Sequence, residues 1–384
     1  MSRYESSPLR LPELLSASVK AAAEDVEAGR DLPDKLMQEL RDSGAFRLLT
    51  PRELGGFEAP LETVLKVYEG FGRLEVSVAW VVWNTNWGFL AALLGNAGTA
   101  RIWADGPDPV FANASQPGTA VVTEGGYRLS GTWKHVGGVD RADWLVVVAV
   151  VVENGDPRLT QAGTPDVRLF TLSRDQLSVQ DSGDVSGMPG TGSNTVAVDD
   201  VLVPDELVAR FDEPDHAQHP RSQGFIPTLV FPGCSAVVLG VAQSAIDEVV
   251  VLATNRSTPT DGTLAESARA HVAVARSEAA LHAARLLLLS TAAAVDAATE
   301  KGEPVTLDQR AALHAAMCHA TDVSREVLVA MHELGGSAST DHANPVARLF
   351  RDGMLALQHA NHFSPYLEAA GRVRFGFEPG IPLF

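Results

Sequence analysis

The feature of this sequence that most restricts its fold is that the hydrophobic period changes twice along the chain. From Pro12 to about Ala104, apolar residues recur at helical spacing, as in Leu14, Leu15, Val19, Ala22 and Ala23 and then Leu36, Leu40 and Phe46. Pro51, the Gly55 and Gly56 pair and Pro60 interrupt this block, and a further apolar helix is expected over residues 77–94, stopped by Gly95. After Gly106 the pattern becomes β-branched, in short segments at 121–123, 127–129, 144–152, 167–172 and 195–201 separated by Gly, Pro and Asp turns. A block of that size suits a small antiparallel barrel or sandwich. From Ile226 onward the helical period returns over long Ala, Leu and Val-rich stretches, which predict four helices over 237–255, 265–301, 307–334 and 344–371. Thr306 suits the start of the third, and Gly335 and Gly336 suit its end. Helices of this length bury their apolar faces against each other, within one bundle or across a subunit interface. The expected fold is therefore α+β and mostly α. An N-terminal helical domain spans residues 1–106, a central antiparallel β-barrel or sandwich 107–222, and a C-terminal four-helix bundle domain 223–384.

Composition narrows the function. Thirty Lys and Arg against 48 Asp and Glu give a net charge of −18, which argues against nucleic acid and anionic membrane surfaces as partners. Cys234 and Cys318 cannot make a disulfide framework, so a cytoplasmic protein is expected. Residues 1–10 lack the apolar stretch of a signal peptide, and the longest apolar run, 144–152, is too short to span a membrane. Neither a phosphate-binding Gly-rich loop with Lys-Ser/Thr nor a Gly-x-Ser-x-Gly elbow occurs. Gly190-Thr191-Gly192 is a fragment of a dinucleotide pattern without its third glycine and helix, so a nicotinamide site is not expected. His359 with His362, and His314 with Cys318 and His319, lack carboxylates at ligand spacing, so no metal site is expected.

Several segments, in order, carry a more specific signal. They are Leu54-Gly55-Gly56-Phe57-Glu58, Leu129 to Trp133 with Asp140 to Trp144, Gly187-Met188-Pro189-Gly190-Thr191-Gly192-Ser193 leading to Val201-Leu202-Val203-Pro204, and Gly335-Gly336-Ser337-Ala338 followed by Arg351-Asp352. Together they resemble the acyl-CoA dehydrogenase fold and, within it, the flavin-dependent two-component monooxygenases. The resemblance implies a homotetramer that takes reduced FAD or FMN from a separate NAD(P)H:flavin reductase. It also implies a C4a-hydroperoxyflavin that hydroxylates a small aromatic, indole-like or polyketide-like substrate. Acyl-CoA dehydrogenation and N-hydroxylation of an amine or amino sugar are the alternatives within the fold, and a flavin-free scaffold is the alternative outside it.

The resemblance assigns residues. In the dehydrogenases a glutamate follows the Arg-Asp pair by about two helical turns as the base, and here Ala360 stands in that place. His359, seven residues after Asp352, would share its helix face and resembles the histidine that the monooxygenases aim at flavin and substrate. Imidazole can accept and return protons near neutral pH, so His359 is the expected acid and base. Asn113 and Ser115 match the stretch that approaches the flavin ring. In Trp133 to Gly138, His135 takes the aromatic place, Val136 the spacer, and Gly137 the place of a Ser or Thr that bonds near flavin N5. Thr191 and Ser193 read as a flavin-contacting loop or as a tight turn, and Pro189 replaces an arginine common in relatives. Arg256 matches a contact to the flavin phosphates, and Gly335, Gly336 and Ser337 a backbone approach to a neighbouring subunit's cofactor. Trp80, Trp83, Asn84, Asn86 and Trp87 cluster on one expected helix and could line an aromatic-binding chamber, with Trp83, Asn84 or Trp87 touching substrate, although core packing explains the tryptophans as well.

Overall fold

The structure is a computed structural model that describes residues 7–160, 163–183, 185–210, 227–255, 262–341, 343–359, 364–381 and 384. The first block is helical: α1 (Leu11–Gly29), α2 (Asp34–Ser43), α3 (Leu61–Gly72), α4 (Val76–Thr85) and α5 (Asn96–Ile102). Along α1, Leu11, Leu15, Val19 and Val26 form the buried stripe that docks it on the core.

The helix expected over 77–94 ends instead at Thr85 and resumes only as a 3-10 turn at Gly88–Ala92. Asn86 explains the break. Its buried amide donates to the carbonyls of Ala45 (2.8 Å) and Val82 (2.6 Å), and its side-chain oxygen accepts the Leu48 N–H at 2.8 Å. The helix stops where one residue satisfies the backbone of a distant loop.

The middle block forms one sheet from β1 (Phe111–Thr123), β2 (Gly126–Val136), β3 (Trp144–Glu153), β4 (Asp156–Pro157), β5 (Val167–Ser173), β6 (Ser178–Gln180), β7 (Asn194–Pro204) and β8 (Val208–Ala209). The order is β6-β7-β2-β1-β3-β5-β8, with β4 on β3. The sheet is mixed rather than antiparallel, because β1 and β3 pair in parallel from Phe111 opposite Trp144. β2 returns from the β1 hairpin and takes β7 as its other neighbour, so the chain re-enters on the free edge of β1 in the same direction. Val110 and Asp143 fix that entry: the Asp143 carboxylate accepts the Val110 N–H, and the Asp143 N–H donates to the Val110 carbonyl, each at 2.8 Å.

The last block comprises α6 (Pro227–Val230), α7 (Pro232–Asn255), α8 (Ala268–Glu300), α9 (Leu307–Gly335), α10 (Pro345–Ala356) and α11 (Ser364–Arg374). Thr306 caps α9 in a reciprocal box with Gln309, and Gly336 takes φ 57° at its end. The stretch 344–371, expected as one helix, holds both α10 and α11. α7 crosses α3 in direct backbone contact. A Cβ on Gly72 would collide with the Val237 carbonyl, and one on Gly240 with the Glu69 carbonyl. By length and composition α7 and α8 could each cross a membrane; 61% of the apolar window of α7 is buried here, against 28% for α8. One continuous apolar core runs from Leu11 to Leu357 through all three blocks.

Replacing Asn86 by Ala leaves the buried Leu48 N–H and Ala45 carbonyl without partners, with an expected loss of about 2–4 kcal/mol. Urea unfolding measures it, and an unchanged midpoint would show that the helix break does not depend on Asn86.

Candidate active site

Two irregularities in the sheet open a cavity of about 620 Å³ against α4 and the end of α10. The β1 to β3 register shifts between Ala114 and Gly118, which frees Ser115 and Gln116 from the ladder. The β2 to β7 register shifts between Trp133 and Val136, and His135 there adopts a positive φ of 58°. Both bulges face the cavity, so Ser115, Gln116, Lys134 and His135 lie on its wall. The Trp133 indole fills the space beneath them, donating its N–H to the Gln116 carbonyl at 2.7 Å.

α4 supplies the opposite wall. Asn84 donates to the Gly137 carbonyl at 2.8 Å, and the Asn113 amide donates to the Asn84 side-chain oxygen at 2.6 Å. This amide pair fixes the helix to the sheet. One turn earlier on the same face, the Trp80 ring meets Trp83 edge-on at 4.7 Å, and both meet His359 edge-on, at 5.5 and 5.1 Å.

His359 does not continue the helix that carries Asp352. α10 ends at Ala356, and Gln358 and His359 follow in tighter turns with N–H bonds to Leu355 and Ala356. The shared helical face expected for Asp352 and His359 therefore does not exist, yet the chain brings the imidazole to the cavity. Burial among the indoles pushes its pKa down to about 4, so the ring is neutral at pH 7. Among the described residues lining the cavity there is no Asp or Glu.

A buried ionic cluster stands behind this site. Asp352, fully buried, accepts the Met188 N–H at 2.7 Å and the Arg351 guanidinium at 2.8 Å. Arg351 also grips both oxygens of Glu27 on α1, which holds its pKa above the ordinary value. Arg348 pairs with Glu75, whose other oxygen accepts the Val78 N–H and caps α4. Met188, pinned by Asp352, takes a left-handed φ of 51° and starts the short turn Pro189–Thr191. Thr191 accepts the Gly138 N–H on its carbonyl at 2.7 Å, which seats the turn against the end of β2.

Of the residues expected from sequence, Asn84, Asn113, Ser115, His135, Gly137, Thr191, Ser193 and His359 all line this cavity. Val136 points into the core. Trp83 touches His359 but, with Trp87, borders a small void behind the cavity, and its N–H donates to the Val230 carbonyl. Gly335, Gly336 and Ser337 end α9 and do not line the cavity. Arg256 and Ala360 lie outside the described residues. Trp80, grouped by sequence with the residues of an aromatic chamber, also lines the cavity, whereas Trp133 and Met188 carry no site role of their own in the sequence reading. The spacing of four between Trp80 and Asn84 was the available signal for Trp80.

The residues present fit a flavin. The volume falls in the usual range for ligand cavities, flat indoles bound it, and hydroxyl and amide groups suited to the polar edge of an isoalloxazine ring stand around it.

The chain matches the family models for the acyl-CoA dehydrogenase N-terminal domain over residues 11–102 and C-terminal domain over 233–363. It is 29% identical to the indole-3-acetate monooxygenase of Pseudomonas putida, across 94% of this chain and 91% of that protein. It is 28% identical to HsaA, the oxygenase subunit of a flavin-dependent monooxygenase in Rhodococcus jostii, across 91% and 93%. The solved structure of XiaF from Streptomyces sp., in complex with FADH2 and glycerol, superposes with a TM-score of 0.88 at 25% identity, covering 98% of this chain and 96% of that one.

The state of His359 can be measured directly. Its pKa lies below the ordinary 6.5, so the stability gained from burying a neutral ring is fully present above about pH 6.5 and is lost as pH falls toward 4. His314, pushed down to about 4 by burial and by Arg310, contributes in the same window. Histidine NMR titration should show the His359 ring neutral until near pH 4, and His359→Asn should flatten, without abolishing, the loss of stability over that range. A His359 ring that titrates at 6.5 contradicts the buried, neutral assignment.

Proposed function

The chain belongs to the acyl-CoA dehydrogenase family, and from that premise we propose that it is a flavin-dependent, two-component monooxygenase that hydroxylates a small, flat aromatic molecule bearing an acidic O–H or ring N–H. It acts as the oxygenase component, using reduced FAD or FMN delivered by a separate reductase. The bound flavin supplies the activation of dioxygen. Asn113, Ser115, Gly137, Thr191 and Ser193 would hold it against the sheet.

The observation that carries the reading is the His359 imidazole, set edge-on to two indoles in a cavity with no carboxylate among its described lining residues, and burial that lowers its pKa keeps it neutral. A neutral ring can accept the substrate proton as the aromatic ring gives up electron density, and then return it; a protonated ring could not. The indole walls suit a flat aromatic guest and exclude water from the reacting edge. α,β-Desaturation of a thioester needs a base for a carbon acid, commonly a carboxylate, and the described residues of this wall offer none.

A homotetramer in the cytoplasm completes the proposal. Val272, Leu286 and Leu287 on α8 and Val250 and Val251 on α7 are exposed apolar residues on two long helices, a surface suited to partner chains. Cys234 and Cys318, both buried and in no disulfide, suit a reducing compartment.

Replacing His359 by Ala should lower product formation by about 10²–10⁴ while reduced-flavin binding persists. The assay combines reductase, flavin and candidate phenols or indoles, read by the mass gain of one oxygen; wild-type turnover in the variant defeats the assignment. The double substitution Leu286→Glu with Leu287→Glu should convert a four-chain species into smaller ones in light scattering. An unchanged mass would move the interface off α8.

A further inference from the structure

The hydrogen bonds that end at the cavity wall have a direction. The Met188 carbonyl can only accept, so the Thr191 hydroxyl, 2.9 Å away, commits its single proton there. Thr191 Oγ1 also lies 2.8 Å from Ser193 Oγ. With its own proton committed, Thr191 must accept in that contact, and Ser193 must donate. The Ser193 oxygen, which lines the cavity, is then left with lone pairs alone to offer an occupant. Behind Met188, its N–H donates to the buried Asp352 carboxylate. Both hydroxyl protons thus point away from the cavity, and a hydroxyl that donates is the better acceptor, which strengthens Ser193 in that role.

Ser193 also stands where a hydroxyl is otherwise missing. A Cβ built on Gly137 would sit 3.5 Å from Ser193 Oγ. Ser193, in the turn that precedes β7, therefore places a hydroxyl oxygen beside the position where a side chain at 137 would start.

We propose that Ser193 is an acceptor-only contact, set by Thr191, that recognises the redox state of the flavin. Reduced flavin carries an N–H at N5, and oxidised flavin carries a bare lone pair on the same atom. An oxygen that can only accept is complementary to the first and repels the second. The site accordingly favours incoming reduced cofactor and releases the oxidised form, with Ser193 as a cofactor-binding residue and Thr191 as a positioning residue. This proposal rests on the oxygenase reading above.

Anaerobic titration of the flavin-free protein with reduced and with oxidised FMN and FAD, followed by equilibrium dialysis, tests it without turnover. Wild-type protein should bind the reduced form more tightly. Thr191→Val frees the Ser193 proton to point into the cavity, so the ratio of oxidised to reduced Kd should fall about three- to tenfold, chiefly through tighter oxidised-flavin binding. Ser193→Ala should lower the same ratio by weakening reduced-flavin binding, and Thr191→Ser should keep it at the wild-type value. A ratio unchanged in both Thr191→Val and Ser193→Ala, or an equal loss of both forms in Thr191→Val, overturns the proposal. Wild-type protein that takes up neither form overturns the oxygenase reading instead, and this inference with it.

Discussion

The candidate site depends on one buried carboxylate. Asp352 is enclosed at the meeting of α10, the turn after Met188, and the ends of α1 and α4, and an ion at such a place is stable only if its partners surround it. Arg351 and Arg348 answer it, and they in turn bind Glu27 and Glu75. Glu75 begins the helix that carries Trp80, Trp83 and Asn84; Met188 begins the turn that carries Thr191 and Ser193; α10 leads into His359. Three parts of the chain that share no local sequence are thereby held in one register around the cavity. Burial pushes the Glu75 carboxyl upward, against the Val78 N–H and the Arg348 charge that favour its ionised form.

α4 is the piece on which this arrangement turns. Its last residues face two ways: Asn84 reaches the sheet through Gly137 and Asn113, and Asn86 reaches the loop at Ala45 and Leu48. A helix held at both sides of its end, and capped by an ion-paired glutamate at its start, cannot roll. The aromatic edge it presents to His359 is therefore a fixed wall, as a site that must orient a flat guest requires.

The sequence made the three blocks legible because long amphipathic helices and β-branched segments bury their faces with different periods, and Thr306 announced its helix by its own side-chain chemistry. What it hid was non-local. The helix expected to run to Leu94 stops at Thr85 because Asn86 bonds to residues about forty positions away, which no local window contains. The parallel pairing of β1 with β3 follows from where β7 lies, not from either strand's pattern. His359 was located through the segments around Arg351 and Asp352, whereas its helical register was wrong because α10 ends early. For Trp80 the sequence leaves chamber lining and core packing equally open, because an indole that lines a cavity and one that fills a core look alike in sequence. The bond from Asp352 to Met188 joins residues 164 positions apart, and it holds the start of the turn that carries Thr191.

The edge-on contacts of Trp80 and Trp83 with His359 have an optical consequence. These two of the six tryptophans share a face with the reacting group, and their excited states lie within contact range of whatever fills the chamber. A conjugated guest with near-ultraviolet absorption drains their emission, and that of Trp133 on the same cavity, by energy transfer. The protein therefore carries its own gauge of occupancy, one that needs neither a label nor a chemical reaction.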